Sequence, residues 1–159
     1  MEFQEKNVLV FGSGKSGIAA AELLEKQNAN IFVFEGNEKQ SVAEIKEKSE
    51  SFAKAEIYVG TLPEEVMDKL DFVVLSPGVP TDLPLVNAMR DKKIMIIGEI
   101  ELAYQVAKGK ILAITGTNGK TTTTTLVGEI LSNYFKDVKV VGNIGIPYTS
   151  VAADTTEET

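Results

Sequence analysis

The chain has 159 residues, 43% of them hydrophobic and 25% charged, an ordinary globular composition with enough apolar material for a core, which argues against disorder. Its formal net charge of −7 argues against a nucleic-acid partner, because non-specific binding to phosphate backbones is mostly cationic neutralisation. With no cysteine and no histidine, disulfide frameworks, thiolate chemistry and imidazole bases are excluded, so acid–base work falls to carboxylates, lysines or bound water.

In chain order, short β-rich runs alternate with amphipathic stretches. Residues 7–11 read as a strand, 16–27 as a helix, 30–35 as a strand and 41–50 as a charged helical stretch. Residues 56–59 follow as a strand, 63–67 as a short helix with proline in its first turn, 71–75 as a strand, 84–91 as a helix and 94–97 as a strand. A helix over 99–107 leads to a strand over 111–114, a glycine-rich turn, a helix over 121–135, a strand over 138–141 and a turn over 142–147. Nearly continuous apolar strands separated by helices predict an α/β fold with a parallel sheet covered on both faces. A domain boundary is expected near residues 100–108, giving units 1–100 and 101–159. The second unit has too few strands to cover a sheet, so the chain is expected to be truncated within it. The segment Met1-Glu2-Phe3-Gln4-Glu5 lacks a basic and an apolar targeting region, and no apolar run approaches the ~18 residues of a spanning helix, so the expected location is cytoplasmic, with no membrane partner.

The segment Gly116-Thr117-Asn118-Gly119-Lys120-Thr121-Thr122 lies between an apolar run and a helix start, where proteins hold nucleoside triphosphates. Such a turn presents several backbone N–H groups to one anion, and the helix behind it adds the positive end of its dipole. Lys120 is expected beside the β- and γ-phosphates of ATP, and the Thr121 hydroxyl is expected to ligate Mg²⁺. Ile114 stands where the usual pattern has its first glycine, so only the second half of that pattern fits. The bland alternative is a βα turn with a solvated lysine.

A second turn, Gly12-Ser13-Gly14-Lys15-Ser16-Gly17, follows the first strand and fits G-x-G-x-x-G, with Glu35 ending the next strand where dinucleotide folds place a ribose-binding acid. Taken alone it reads as an NAD site. Its Gly-Lys-Ser also imitates a second ATP loop, and the structural alternative is a turn that serves only close strand–helix packing. What stays open at this point is which diphosphate it holds.

Together with Ser76-Pro77-Gly78-Val79-Pro80, Gly98-Glu99-Ile100-Glu101 and Gly142-Asn143-Ile144-Gly145, these loops stand in the order found in the Mur ligase family. The whole chain resembles the N-terminal part of its D-glutamate-adding members, which act in peptidoglycan synthesis. The L-alanine-adding relatives carry a histidine where Asn118 stands. The resemblance implies a Rossmann-like UDP-binding domain followed by the start of a P-loop ATPase-like domain. It implies a UDP-substrate site at Ser13, Gly14, Lys15, Ser16, Glu35, Gly36, Ser76, Gly78 and Asn143. The ATP site would comprise Gly116, Thr117, Asn118, Gly119, Lys120, Thr121 and Thr122, with Lys120 and Thr121 catalytic. Glu35, Gly36 and Asn37 depart from the Asp-Thr-Arg-type run of some members. The implied partners are ATP, D-glutamate and UDP-N-acetylmuramoyl-L-alanine, with Mg²⁺ as cofactor and a monomer as the full-length state. The resemblance also places further catalytic residues and a whole domain downstream, so this chain alone is expected not to ligate. An NAD-dependent oxidoreductase fragment and a non-enzymatic nucleotide-binding module are the alternatives.

Overall fold

A computed structural model describes residues 2–142 and 145–159. It begins with strand β1 (Asn7–Phe11), helix α1 (Lys15–Lys26) and strand β2 (Asn30–Glu35). The expected helical stretch at 41–50 divides into α2 (Val42–Lys46) and α3 (Glu50–Lys54). Two caps explain the division: Ser41 and Glu44 form a reciprocal capping box, and the Ser49 hydroxyl accepts from the Phe52 N–H to open a second helix. Strand β3 (Glu56–Val59), helix α4 (Glu64–Met67), strand β4 (Phe72–Leu75), helix α5 (Pro84–Asp91), strand β5 (Met95–Gly98) and helix α6 (Glu99–Val106) complete the first unit.

All five strands are parallel, in the order β3-β2-β1-β4-β5. Alternate residues of a strand face opposite sides, and β1 shows it: Val8 and Val10 enter a core with Leu24, Phe52 and Leu102, whereas Leu9 and Phe11 enter another with Val66, Val86 and Met89. Burial on both faces is why these strands read as unbroken apolar runs. The chain order reverses direction across β1, from β2 on one side to β4 on the other, so the loops after β1 and β4 lead to helices on opposite faces of the sheet, α1 and α5, the arrangement at which open α/β sheets form a crevice.

Beyond α6 the expectations need correction. Residues 111–114 form no strand, and Ile111 and Leu112 are exposed, because among the described residues no neighbouring strand supplies the hydrogen-bonding partners that a strand needs. Among the described residues the run 138–141 likewise makes a single bridge, Val141 to Ile146. Helix α7 (Lys120–Ser132) does form, slightly shorter than the predicted helix.

The tail holds a short helix, α8 (Tyr148–Val151), and a 3-10 turn over Ala152–Asp154, neither of them expected. Ala152 joins the α1–α6 side of the core, and Tyr148 packs against it. Thr155 accepts from the Lys108 N–H at 2.8 Å, and the Lys110 N–H donates to the Thr159 carbonyl at 2.8 Å. These bonds fold the tail back on the linker between the two units.

At the centre of this contact the Thr149 hydroxyl donates to Glu99 Oε1 at 3.0 Å, with both residues buried. Glu99 opens α6, where the helix dipole favours a negative charge. Thr149→Val keeps the shape but removes the donor to a buried carboxylate, and should cost about 1–3 kcal/mol in urea unfolding. Unchanged stability would mean that the hydrogen bond contributes nothing beyond what water supplies.

Candidate functional site

Two glycine turns define the candidate sites. In the first, Gly12 has φ 109°, and a Cβ there would stand 2.9 Å from the Ser76 hydroxyl oxygen. The Ser76 N–H in turn donates to the Phe11 carbonyl at 3.1 Å. The turns after β1 and β4, which carry Gly14, Lys15 and Ser16 and Ser76 and Gly78, therefore touch beyond the carboxyl ends of their strands. Gly17 is the packing glycine: a Cβ there would lie 1.9 Å from the Gly12 carbonyl oxygen, so α1 can approach β1 only without one.

Gly14 is the opposite case, exposed and with nothing within 4 Å of an added Cβ. It is the N-cap of α1, and no side chain caps that helix end. The first-turn N–H groups that a helix leaves unsatisfied thus have no side-chain partner, beside exposed Lys15 and half-buried Ser16.

Ser13 behaves differently from its neighbours. It is only 1% exposed, and its hydroxyl donates to Glu35 Oε2 at 2.6 Å while its N–H donates to the same oxygen at 3.1 Å. Its side chain serves the interior of the site and has no face toward a ligand. The other Glu35 oxygen accepts from the Asn37 N–H at 2.9 Å. A carboxylate offers about four lone-pair positions. These three bonds leave one, on Oε1, free to accept from a ligand. Gly36 and Asn37 are exposed beside it.

Burial pushes the Glu35 carboxyl up, but the Ser13 hydroxyl, the N–H groups of Asn37 and Ser13 and the charge of Lys48 outweigh it and hold it below the usual value. A depressed folded-state pKa adds stability above the unfolded value of 4.5, and that stability is lost as pH falls through the folded value. The melting temperature of wild type should therefore exceed that of Glu35→Gln at pH 7, with the gap closing below pH 4.5. A gap independent of pH would mean that the carboxylate charge is immaterial to the turn.

The second turn runs from Gly116, with φ 146°, to Gly119, with φ 76°. Gly119 caps α7 in the left-handed conformation without any side-chain bond. Residues Thr115 to Lys120 are exposed, as are Thr121 and Thr122. The Lys120 ammonium folds back to donate to the Gly116 and Thr117 carbonyls, the latter at 3.1 Å. Backbone carbonyls are neutral partners that a phosphate can displace, and the bare first turn of α7 offers N–H groups to the same anion. The turn therefore fits a nucleoside triphosphate. Among the described residues no group of three His, Cys, Asp or Glu side chains could hold a metal, so a protein-only cation cage is absent from them, and the Thr121 hydroxyl offers one ligand. No hydrogen bond joins the described parts of the two turns. Asn143, expected at the first site, lies outside the described residues.

Two family models match successive stretches of the chain. The model described as Mur ligase MurD-like, N-terminal domain, matches residues 6–98. The chain belongs to the Mur ligase family. The Mur ligase middle domain model matches residues 114–159, which include the second turn. This Mur ligase chain is 54% identical to the UDP-N-acetylmuramoylalanine--D-glutamate ligase of Lachnoclostridium phytofermentans, over 98% of its own length and 34% of the relative. It is 48% identical to the enzyme of the same name from Lachnospira eligens, over 99% of its length and 35% of the relative. It therefore spans about a third of the curated relatives it matches. Among solved structures it resembles a murein peptide ligase from Psychrobacter arcticus, with TM-score 0.54 and 20% identity over 80% of this chain and 26% of that one. A pseudomurein peptide ligase type C from Methanothermus fervidus gives TM-score 0.53 and 22% identity over 81% of this chain and 26% of that one. Likeness at that identity concerns the fold.

Two side chains near the first turn were not legible in the sequence. Lys48 donates to the Ser13 carbonyl at 3.2 Å and to the Ser13 hydroxyl at 2.9 Å, and Gln40 accepts from the same ammonium. Lys48 sits in a run of charged residues, where a solvated lysine is the ordinary expectation.

Proposed function

We propose that this chain is the UDP-substrate-binding and ATP-binding part of a ligase that joins D-glutamate to UDP-N-acetylmuramoyl-L-alanine. The observation that supports it most is the pairing of two bare helix N-termini, each behind a glycine turn, within regions matching two successive Mur ligase domains. On this reading residues 1–100 hold the UDP substrate, and residues 101–159 are a linker and the start of the ATP-binding domain.

Within the first crevice, the N–H groups behind Gly14 with Lys15 and Ser16 bind the diphosphate. Ser76 and Gly78 form the facing wall, and the open lone pair of Glu35 receives a ribose or uracil donor, with Gly36 beside it. Asn143 is assigned to the diphosphate from the second unit. At the second turn, Gly116, Thr117, Asn118, Gly119 and Thr122 cradle the triphosphate, while Lys120 neutralises charge on the transferring γ-phosphoryl and Thr121 supplies one ligand to Mg²⁺. In the reaction the substrate carboxylate takes the γ-phosphoryl and releases ADP. The D-glutamate amine then attacks the acyl phosphate, losing a proton and expelling phosphate as the amide forms. The chain's part in this is positioning and charge neutralisation. Cytoplasmic location and a monomeric full-length state belong to the same proposal.

An NAD-dependent reading of the first turn loses ground because that turn lies within the match to a Mur ligase N-terminal domain and is followed by a second glycine turn within the match to a Mur ligase middle domain. A protein of the relatives' length carrying this sequence should release ADP in proportion to D-glutamate when given UDP-N-acetylmuramoyl-L-alanine and Mg-ATP. ADP release indifferent to D-glutamate would overturn the assignment.

A further inference from the structure

We propose that Lys48 is a positioning residue for the nucleotide crevice: together with Gln40 it locks Ser13 and, through Ser13, the open face of Glu35 that receives the uridine end. The inference rests on the UDP reading above and adds to it a residue that makes no contact with the ligand.

Lys48 reaches the first turn from the loop between α2 and α3. An ammonium has three N–H donors and no acceptor. All three find partners: the Ser13 carbonyl at 3.2 Å, the Ser13 hydroxyl at 2.9 Å and Gln40 Oε1. Lys48 is thus internally satisfied, unlike exposed Lys15, for which no such bond is found among the described residues.

The consequence concerns a proton. Because Lys48 can only donate, the Ser13 oxygen must accept from it, and the single hydroxyl hydrogen is directed elsewhere. The nearer acceptor is Glu35 Oε2 at 2.6 Å, whereas Gln40 Oε1 lies at 3.4 Å. Lys48 therefore sets the direction of the hydroxyl, the hydroxyl fixes one carboxylate oxygen, and the plane of the carboxylate is settled with its remaining lone pair outward. The same lysine is the charged side chain that acts on Glu35; the other groups facing it, Ser13 and the Asn37 N–H, are neutral. Its attachment to the Ser13 carbonyl also holds the backbone of the turn that leads into Gly14 and Lys15.

The test is calorimetric titration of the chain with UDP at several pH values, comparing wild type with Lys48→Met and Lys48→Arg. Lys48→Met should bind UDP about tenfold more weakly, the loss expected when hydrogen bonds from a charged donor are removed. Lys48→Arg should recover part of that loss, and Mg-ATP affinity should be the same in all three. The pH profile separates positioning from general loosening. With Lys48 gone, the pH at which UDP affinity falls on acidification should move upward, because Glu35 loses both its charge partner and its oriented hydroxyl. Weaker binding with an unmoved profile would overturn the proposal in favour of a purely structural role. Equal binding by Lys48→Met would overturn it while leaving the UDP reading intact, and no UDP binding by wild type would end both. Should Lys48→Met not fold, Gln40→Leu removes one of the ammonium's acceptors, and the same weakening and profile shift are expected in reduced size.

Discussion

Lys120→Ala should cut ADP formation about a hundredfold or more in a protein of the relatives' length carrying this sequence, with the fold intact. The magnitude is that of removing one fixed donor from a site where negative charge concentrates. Lys120 is exposed, and its only bonds among the described residues run to two carbonyls of its own turn. Its loss therefore opens no cavity and strands no buried charge, and the melting temperature should change little. Lys120→Arg is not a conservative test, because a planar fork cannot occupy the space of a point charge inside a tight turn. Direct titration of the variant with Mg-ATP gives a second readout. If Lys120→Ala binds Mg-ATP and turns over as wild type does, the second turn is an ordinary βα connection with a solvated lysine.

The two glycines of the first turn should fail in opposite ways. Gly17→Ala places a methyl group 1.9 Å from the Gly12 carbonyl oxygen, and both partners are backbone, so neither can rotate away. Helix α1 must shift off β1, at a cost of about 3 kcal/mol, the upper range for overpacking. For a domain of this size that is a fall of roughly 10 °C or more in melting temperature. Alanine is otherwise the better helix former, so intrinsic propensity works against this prediction and makes it sharp. Gly14→Ala meets nothing within 4 Å and needs no left-handed conformation. It should cost about 0.5–1 kcal/mol, because alanine is a poorer N-cap than glycine, well below the cost at Gly17. It should nonetheless weaken UDP binding, since its methyl group would stand beside the free N–H groups. Equal melting temperatures for the two variants would refute the division of roles.

The first unit was legible because its physics is local. Four of the strands from β1 to β5 are apolar runs closed by a glycine or an acid, β4 is closed by Ser76-Pro77, and the boundaries moved by only a residue or two, as at β4 and β5. The misread elements share a cause. Residues 111–114 and 138–141 have the apolar content of strands, but a strand is a property of a pair, and sequence shows only one member. The docking of α8 on α1 and α6 was invisible because it depends on one long-range bond, Thr149 to Glu99, and a few small apolar residues without periodicity.

At the site, backbone requirements were readable and side-chain commitments were not. Gly12 and Gly119 announce turns that need left-handed backbone, and both have it. Ser13 was expected among the residues of the UDP-substrate site, and its side chain is buried against Glu35. No spacing rule marks Lys48 and Gln40, because α1 and β2, and for Lys48 also α2, separate them from the turn in sequence.

The most direct test is titration of this chain with UDP-N-acetylmuramoyl-L-alanine, with NADH run alongside. Saturable binding of the UDP compound with no response to NADH is the predicted result. Binding of NADH with no response to the UDP compound would contradict the account and return the first turn to a dinucleotide role.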